Sequence, residues 1–455
     1  MMQFSEILPP TLHQISPFAS LTMNKNHLLP ARPWPGFPAL KSLGRFSNAN
    51  YMEQLLVHCA NAIESNDATL TQQILWVLNN IASPEGDSNQ RLTSAILRAL
   101  IGRAARSGSS KMLSAMANVH SNIAKSTHKF SIIELASFVD ITPWHRFGFT
   151  AANAAILEAV EGYSIIHIVD LGLTHCMQIP TLIEAIATRL EGPPLVKLTV
   201  AGATEDLPPM LDLSYEELGT KLVNFARSRN VTMEFRVIPS SFSDGFASLI
   251  EQLRMQQLVN TDKNEALVIN CHMLLHYLPD ETLSIVSTVI PTSFSVETST
   301  SSSFRTTFLK GLRDLDPTIV VVVDEDADFT SNSLVSRLES AFNYLWIPYD
   351  AVDAFLPRGS KQRLWYEDAI CWKIDNVIAH EGVQRVERLE QKSRWVQRMT
   401  NANFRAVGFI EEGVSDVKSM LDEHAAGWGL KREEDHLVLT WKGHNVVFAT
   451  AWVAN

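Results

Sequence analysis

The chain of 455 residues is 46% hydrophobic, ample for a substantial packed core in one large domain or two ordinary ones. Its formal net charge of -11 argues against the generalised attraction that supplies most nonspecific nucleic-acid affinity, so any contact with DNA has to be local. The apolar stretches are shorter than the roughly 18 residues of a membrane span, and Met1-Met2-Gln3-Phe4-Ser5-Glu6 lacks the basic start and apolar run of a secretory signal.

Cys59, Cys176, Cys271 and Cys371 lie far apart with no Cys-x-x-Cys spacing, so buried free thiols are expected in place of a disulfide framework or a zinc site. An intracellular globular protein is the expectation.

Residues 1–48 are rich in Pro, Ser and Asn, with Pro30, Pro33, Pro35 and Pro38 closely spaced; helix and sheet are both disfavoured, and a flexible leader is expected. From Tyr51 onward Met52, Leu55, Leu56, Cys59 and Ile63 recur at three- and four-residue intervals, and Ile74, Leu75 and Leu78 continue the helical pattern. Further helical segments run around Leu92 to Ala105, Ile132 to Val139 and Ala151 to Val160, with breaks at Pro84-Glu85-Gly86, Ser107 to Ser110 and Pro143. A helical cap over 49–160 is expected.

Two features of this cap bear on function. Arg98, Arg103, Arg106 and Lys111 form a modest basic arc, which is either a solvated helix face or the wall of a DNA groove. Met52-Glu53-Gln54-Leu55-Leu56 approximates a Leu-x-x-Leu-Leu motif, whose apolar residues Met52, Leu55 and Leu56 would anchor in a partner's groove. The same three residues would serve equally as a core stripe.

After Gly162 the texture becomes strand, loop, helix, strand. Ile165-Ile166-His167-Ile168-Val169 is a short apolar run bounded by Asp170, and Leu195 to Val200, Met233 to Ile238, Ala266 to Cys271 and Thr318 to Asp324 follow at crossover spacing. Five parallel strands are predicted. Phe404 to Ile410, His436 to Trp441 and Val446 to Trp452 read as later strands, the last two joined into an antiparallel hairpin by Lys442-Gly443-His444-Asn445.

The expected fold is therefore α/β: a Rossmann-like sheet of the class I methyltransferase type, five parallel strands plus a C-terminal hairpin, with an α-helical cap. Core residues 161–330 would be followed by a helical insertion over 331–380 and by the remainder of the core over 381–455. Pro291 to Ser303 is Ser/Thr-rich and reads as a mobile loop.

A nucleotide site needs glycines after the first strand, where the backbone approaches the ligand. Here the turn is Asp170-Leu171-Gly172-Leu173-Thr174-His175-Cys176-Met177, with one glycine, and Thr174 and Cys176 would crowd the approach. The second strand ends in Leu198-Thr199-Val200-Ala201-Gly202 without a ribose-binding carboxylate. No cofactor is expected.

Asp324-Glu325-Asp326-Ala327-Asp328 copies the start of a calcium loop but has Phe329 at the sixth position and Val335 at the twelfth, so solvated carboxylates are expected, with a weak magnesium site as the alternative. His380-Glu381 has Gln384 where a zinc protease needs its second histidine. His167 reads as a hydrogen-bonded core histidine.

These residues resemble the GRAS family of plant regulators from about Tyr51 to Asn455. Ile166-His167-Ile168-Val169-Asp170 matches its first-strand signature, followed by Gln178 and Pro180, with Ile179 in place of the usual tryptophan. Pro317, Phe342 and Tyr344 resemble the next block, together with Asn376-Val377-Ile378-Ala379-His380-Glu381-Gly382-Val383-Gln384-Arg385-Val386-Glu387-Arg388. Trp395, Trp428, Trp441 and Thr450-Ala451-Trp452 match the last, threonine replacing serine.

Physically, Trp441 and Trp452 lie on the two arms of the predicted hairpin and are expected to pack across it; Arg385 and Arg388, between Glu381 and Glu390, predict an ion-pair network or a phosphate clamp. The resemblance implies a nuclear transcription factor or coregulator of the scarecrow-like type that pairs with other GRAS proteins, itself included, or with DNA-binding factors, and that touches promoter DNA directly or through them. The alternatives are a methyltransferase with S-adenosylmethionine around Asp170 and Gly172, and an adaptor that binds no DNA.

Overall fold

The computed structural model describes residues 49–106, 128–203, 207–259, 264–283 and 303–455. The expected leader, Lys111 and all of the Ser/Thr-rich stretch but Ser303 lie outside the described residues. Ala49–Asn455 is one compact unit.

Three helices open it: α1 (Ala49–Glu64), α2 (Ala68–Ile81) and α3 (Ser88–Arg106). Their apolar stripes face one another, burying Met52, Leu56, Cys59, Leu78, Leu92 and Ile96. Burial of one such aliphatic side chain contributes about 1.5–3 kcal/mol, so the stripe is a core and Met52, Leu55 and Leu56 are not an exposed partner helix. Helices α4 (Ile132–Val139) and α5 (Pro143–Ala159) follow, and Pro143 starts the second of them, in its first turn, where a missing N–H matters least.

Strands β1 (Ile165–Asp170), β2 (Leu195–Ala203), β3 (Met233–Ser240), β4 (Glu265–His272) and β5 (Ile319–Glu325) are all parallel. Their crossovers carry α6 (Ile179–Ala187), α7 (Tyr215–Ser228), α8 (Ala247–Val259) and α9 (Phe304–Asp314). Side-chain caps from Ser131, Thr142, Ser214 and Ser303 define four helix starts, each worth about 1 kcal/mol. Helices α10 (Leu334–Asp353) and α11 (Lys361–Ala379) follow β5 and pack back onto α1 and α3. The helical insertion is thus the other half of the cap.

The chain then adds α12 (Lys392–Asn401), β6 (Phe404–Val407), α13 (Glu411–Asp422), β7 (Trp428–Glu433), β8 (His436–Trp441) and β9 (His444–Ala454). The sheet order is β3-β2-β1-β4-β5-β9-β8-β7, with β6 also on β9. β7 was not among the expected strands; it pairs antiparallel with β8, so the hairpin is part of a three-strand meander.

The hairpin tryptophans also differ from expectation. Trp441 lies opposite His444 near the turn, whereas Trp452 extends past the paired region and faces Val320 on β5 and Ala406 on β6. The two tryptophans are not opposite each other; Trp452 packs across the hairpin on the His436 ring, with centroids 5.7 Å apart, and β9 is an interior strand. Trp441 instead meets Trp428 with ring centroids 4.8 Å apart and donates Nε1–H to Asp350 at 2.8 Å, while Trp452 donates to Thr450 Oγ1 at 2.9 Å.

Candidate functional site

The turn after β1 is filled from within. The backbone N–H of Gly172 and Nδ2 of Asn270 donate to Asp170 Oδ1 at 3.1 and 2.8 Å, and the Asn270 amide also donates to Gln178 Oε1 at 3.0 Å. A Cβ at residue 172 would lie 2.9 Å from that carboxylate oxygen, which is why glycine stands there. Burial raises the Asp170 pKa against the bonds from Cys176, Asn270 and Gly172.

His175 and Cys176 both adopt left-handed backbone, φ 48° and 62°, turning the Cys176 thiol inward to Asp170. Gln178 donates to Asn153 at 2.9 Å and so ties α6 to α5, with Pro180 in the helix's first turn. His167 lies within 2.8 Å of Thr199 Oγ1 and 3.4 Å of Glu265, and burial lowers its pKa to about 4. Ile166, Ile168 and Val169 are fully buried.

At the ends of β4 and β5, beneath α10 and α11, lies a cavity of about 90 Å³. Trp144 Nε1 donates to Glu325 at 2.9 Å, and Lys373 donates to the same carboxylate and lies 3.4 Å from Glu387. Tyr277 donates to Glu387 at 2.9 Å, and His276 Nδ1 pairs with Asp324 at 2.7 Å. Asp324 and Glu325 are therefore buried and engaged, contrary to the solvated pair expected from the acidic run. Asp326 accepts from the Lys392 backbone, and Asp328 caps Thr330. Among the described residues, no group of three His, Cys, Asp or Glu side chains could hold a metal ion.

Beside this cluster runs a seam of buried arginines. Arg388 donates to Asp280 (3.1 Å), Thr282 (2.7 Å) and the carbonyls of Arg385 and Gly382 (2.9 Å each). Arg305 sits 3.0 Å from Glu390 and over the Trp395 ring at 5.2 Å, and Arg398 holds Glu390 and Glu281 at 2.7 Å. Arg385 reaches the Phe329 carbonyl and lies 3.9 Å from Glu381. The expected network exists, with Asp280 in place of Glu390 as the partner of Arg388.

The sequence pattern of the GRAS domain family matches residues 52–453. The chain belongs to the GRAS domain family. It is 59% identical to Scarecrow-like protein 32 of Arabidopsis thaliana over 92% of this chain and 97% of that protein. It is 31% identical to Protein SHORT-ROOT of Arabidopsis thaliana over 89% of this chain and 74% of that one. The crystal structure of SCL7 from Oryza sativa superposes with a TM-score of 0.67 at 23% identity, covering 88% of this chain and 99% of that one, a likeness of fold.

The remaining residues of the GRAS motif hold elements together. Tyr344 donates to the Val446 carbonyl at 2.7 Å, joining α10 to β9, and Phe342 is buried on the same helix. Pro317 is buried in the turn before β5, and Ala451 is buried on β9 between β5 and β6. Thr450 Oγ1 reaches the Val322 carbonyl at 3.3 Å. Gly382 has φ 57° and turns its carbonyl to Arg388.

The basic arc of the GRAS cap is occupied by the insertion. Arg98 donates to Cys371 Sγ at 3.0 Å, Arg103 pairs with Glu381 at 3.1 Å, and Arg106 donates to the Ala379 carbonyl at 2.7 Å. Arg98 is covered because α11 lies along α3, while Arg103 is partly exposed and Arg106 exposed, so the far end of the arc is a solvated face. Trp144, His276, Tyr277, Lys373 and Glu387 were not singled out beforehand. Only the acidic end of β5 signalled them, since the others are scattered through the chain.

Proposed function

We propose that this protein is a plant transcriptional regulator of the scarecrow-like kind, acting in the nucleus through protein contacts and reaching promoters through a DNA-binding partner or another GRAS protein. Membership of the GRAS family supports regulation in development, and one relative, 28% identical over 87% of this chain, is a scarecrow-like transcription factor by name. The engagement of Arg98 and Arg106 by α11, and of Arg103 by Glu381 just beyond it, is the observation that carries the partner-dependent reading. In an acidic chain, cap arginines that are tied to Cys371, Glu381 and the Ala379 carbonyl are less free to follow a phosphate backbone.

We read the sheet as methyltransferase-type, since its order puts an antiparallel strand beside the fifth parallel one, and we read the protein as non-catalytic. The inward-turned Asp170 and Cys176 support that, because the Asp170 carboxylate is engaged by Gly172, Asn270 and Cys176 within the turn where a cofactor would approach. Among the described residues no helix is long and apolar enough to cross a membrane.

Selection of bound sequences from random DNA tests the proposal, with the full chain alone and with a candidate partner at two salt concentrations. Enrichment only in the partner's presence is expected; enrichment by the chain alone overturns partner dependence. Saturable calorimetric binding of S-adenosylmethionine would overturn the non-catalytic reading.

A further inference from the structure

The cavity beneath the insertion has three properties that together specify a ligand. First, it sits at the carboxyl ends of β1, β4 and β5, beside the point where strand order reverses between β1 and β4, the place where open α/β sheets bind small molecules. Leu173 follows β1, Met273 and His276 follow β4, and Glu325 ends β5; Pro348, Tyr366 and Trp372 close it from α10 and α11.

Second, its polar wall is incomplete. His276 Nε2 and Glu387 Oε2 both line it, on side chains 1% and 0% exposed; neither makes a hydrogen bond, although the Lys373 ammonium stands 3.4 Å from Glu387 Oε2. They stand 3.4 Å from each other, too poorly aligned to bond. Buried polar atoms left open cost free energy unless something completes them.

Third, the charges do not balance. Asp324, Glu325 and Glu387 face one ammonium, that of Lys373, and the imidazole of His276. The excess is negative whichever state the imidazole adopts. The Tyr277 phenol registers it: burial, then the carboxylates of Glu387, Glu325 and Asp324, push its pKa upward. Around this negative pole the wall is aromatic, with Phe138, Trp144, Tyr366 and Trp372 presenting ring surface that attracts cations.

We infer that the cavity binds a small organic ammonium, its charged head against Glu387 and Glu325 and its short apolar body against the rings. An apolar cavity of roughly 150 Å³ holds benzene, so the 90 Å³ here takes a smaller body, about four or five heavy atoms. Because the floor is the sheet and the roof is the insertion, occupancy stiffens the seam between cap and core. A regulatory surface on the cap thereby becomes sensitive to a metabolite.

The test titrates the full chain with isobutylammonium at neutral pH, and with isobutanol as an uncharged probe of the same size, following calorimetric heat and melting temperature. Saturable binding of the ammonium is expected, at least about tenfold tighter than isobutanol. Glu387→Gln should weaken it by a similar factor. Ala369→Phe, which fills the cavity wall and leaves the carboxylates alone, should abolish it and decides the matter if Glu387→Gln does not fold. No saturation at millimolar concentrations, equal binding of isobutanol, or ammonium binding that survives Ala369→Phe overturns the inference.

Discussion

Glu387 and Arg388 are neighbours in the chain and belong to two charge clusters of opposite character, both buried apart from Glu281, whose side chain is half exposed. On one side Arg305, Arg388 and Arg398 face Asp280, Glu281 and Glu390, three charges against three, in contacts of 2.7 to 3.1 Å. On the other, three carboxylates share one lysine and a histidine around open space. The same residue types make a charge-balanced strut in the first case and a shell with surplus carboxylates beside open space in the second. The difference lies in what covers them: α9 and α12 fill the seam, whereas α10 and α11 arch over the cavity.

If that contrast is right, the largest loss comes from the strut. Arg388→Met strands Asp280 and should cost about 3–5 kcal/mol in urea unfolding; a loss under 1 kcal/mol would erase the distinction. Lys373→Met strands Glu325 and Glu387 beside a space that water can enter, so roughly 1–3 kcal/mol is expected by the same measurement.

Acid should act next. His272, packed against Phe149 at 4.7 Å, has its pKa lowered by burial to about 4, as His167 has. The unfolded chain takes up these protons first, so stability is held above the ordinary histidine value near 6.5 and falls as pH drops towards 4. The slope approaches roughly 1.4 kcal/mol per pH unit for each histidine, and His272→Leu should flatten the profile by one of them. The smallest effect is at the rim: Arg103→Ala removes a partly exposed pair with Glu381 and should cost under about 1 kcal/mol, with DNA retention unchanged.

The central parallel strands were legible because they are buried on both faces and read as apolar runs, as in Ile319–Val323, whereas the edge strand Met233–Ser240 showed itself by alternation, with Glu234 and Arg236 outward. β7 was not, because Lys431, Arg432 and Glu433 give an outermost strand the composition of a loop, the usual protection of a sheet edge. The turn at Gly172 could be read directly, since one glycine followed by Thr174 and Cys176 states its own crowding. The cavity could not. Trp144, His276, Glu325, Lys373 and Glu387 come from separate elements, and their charges meet only when the insertion folds back. The cover over Arg98 was hidden for the same reason, since the helix that supplies Cys371 arises far along the chain.

The position of β9 between β5 and β8 sets a condition on biosynthesis. Until residues 444–454 clear the ribosome, the outer side of β5 has no neighbour, and the fully apolar Ile319–Val323 ladder stands open to the cytosol. A nascent chain of this kind needs shelter from the emergence of β5 until β9 is made. A stop codon that removes only the last dozen residues should leave the earlier elements unable to close, giving an aggregate in place of a shortened regulator.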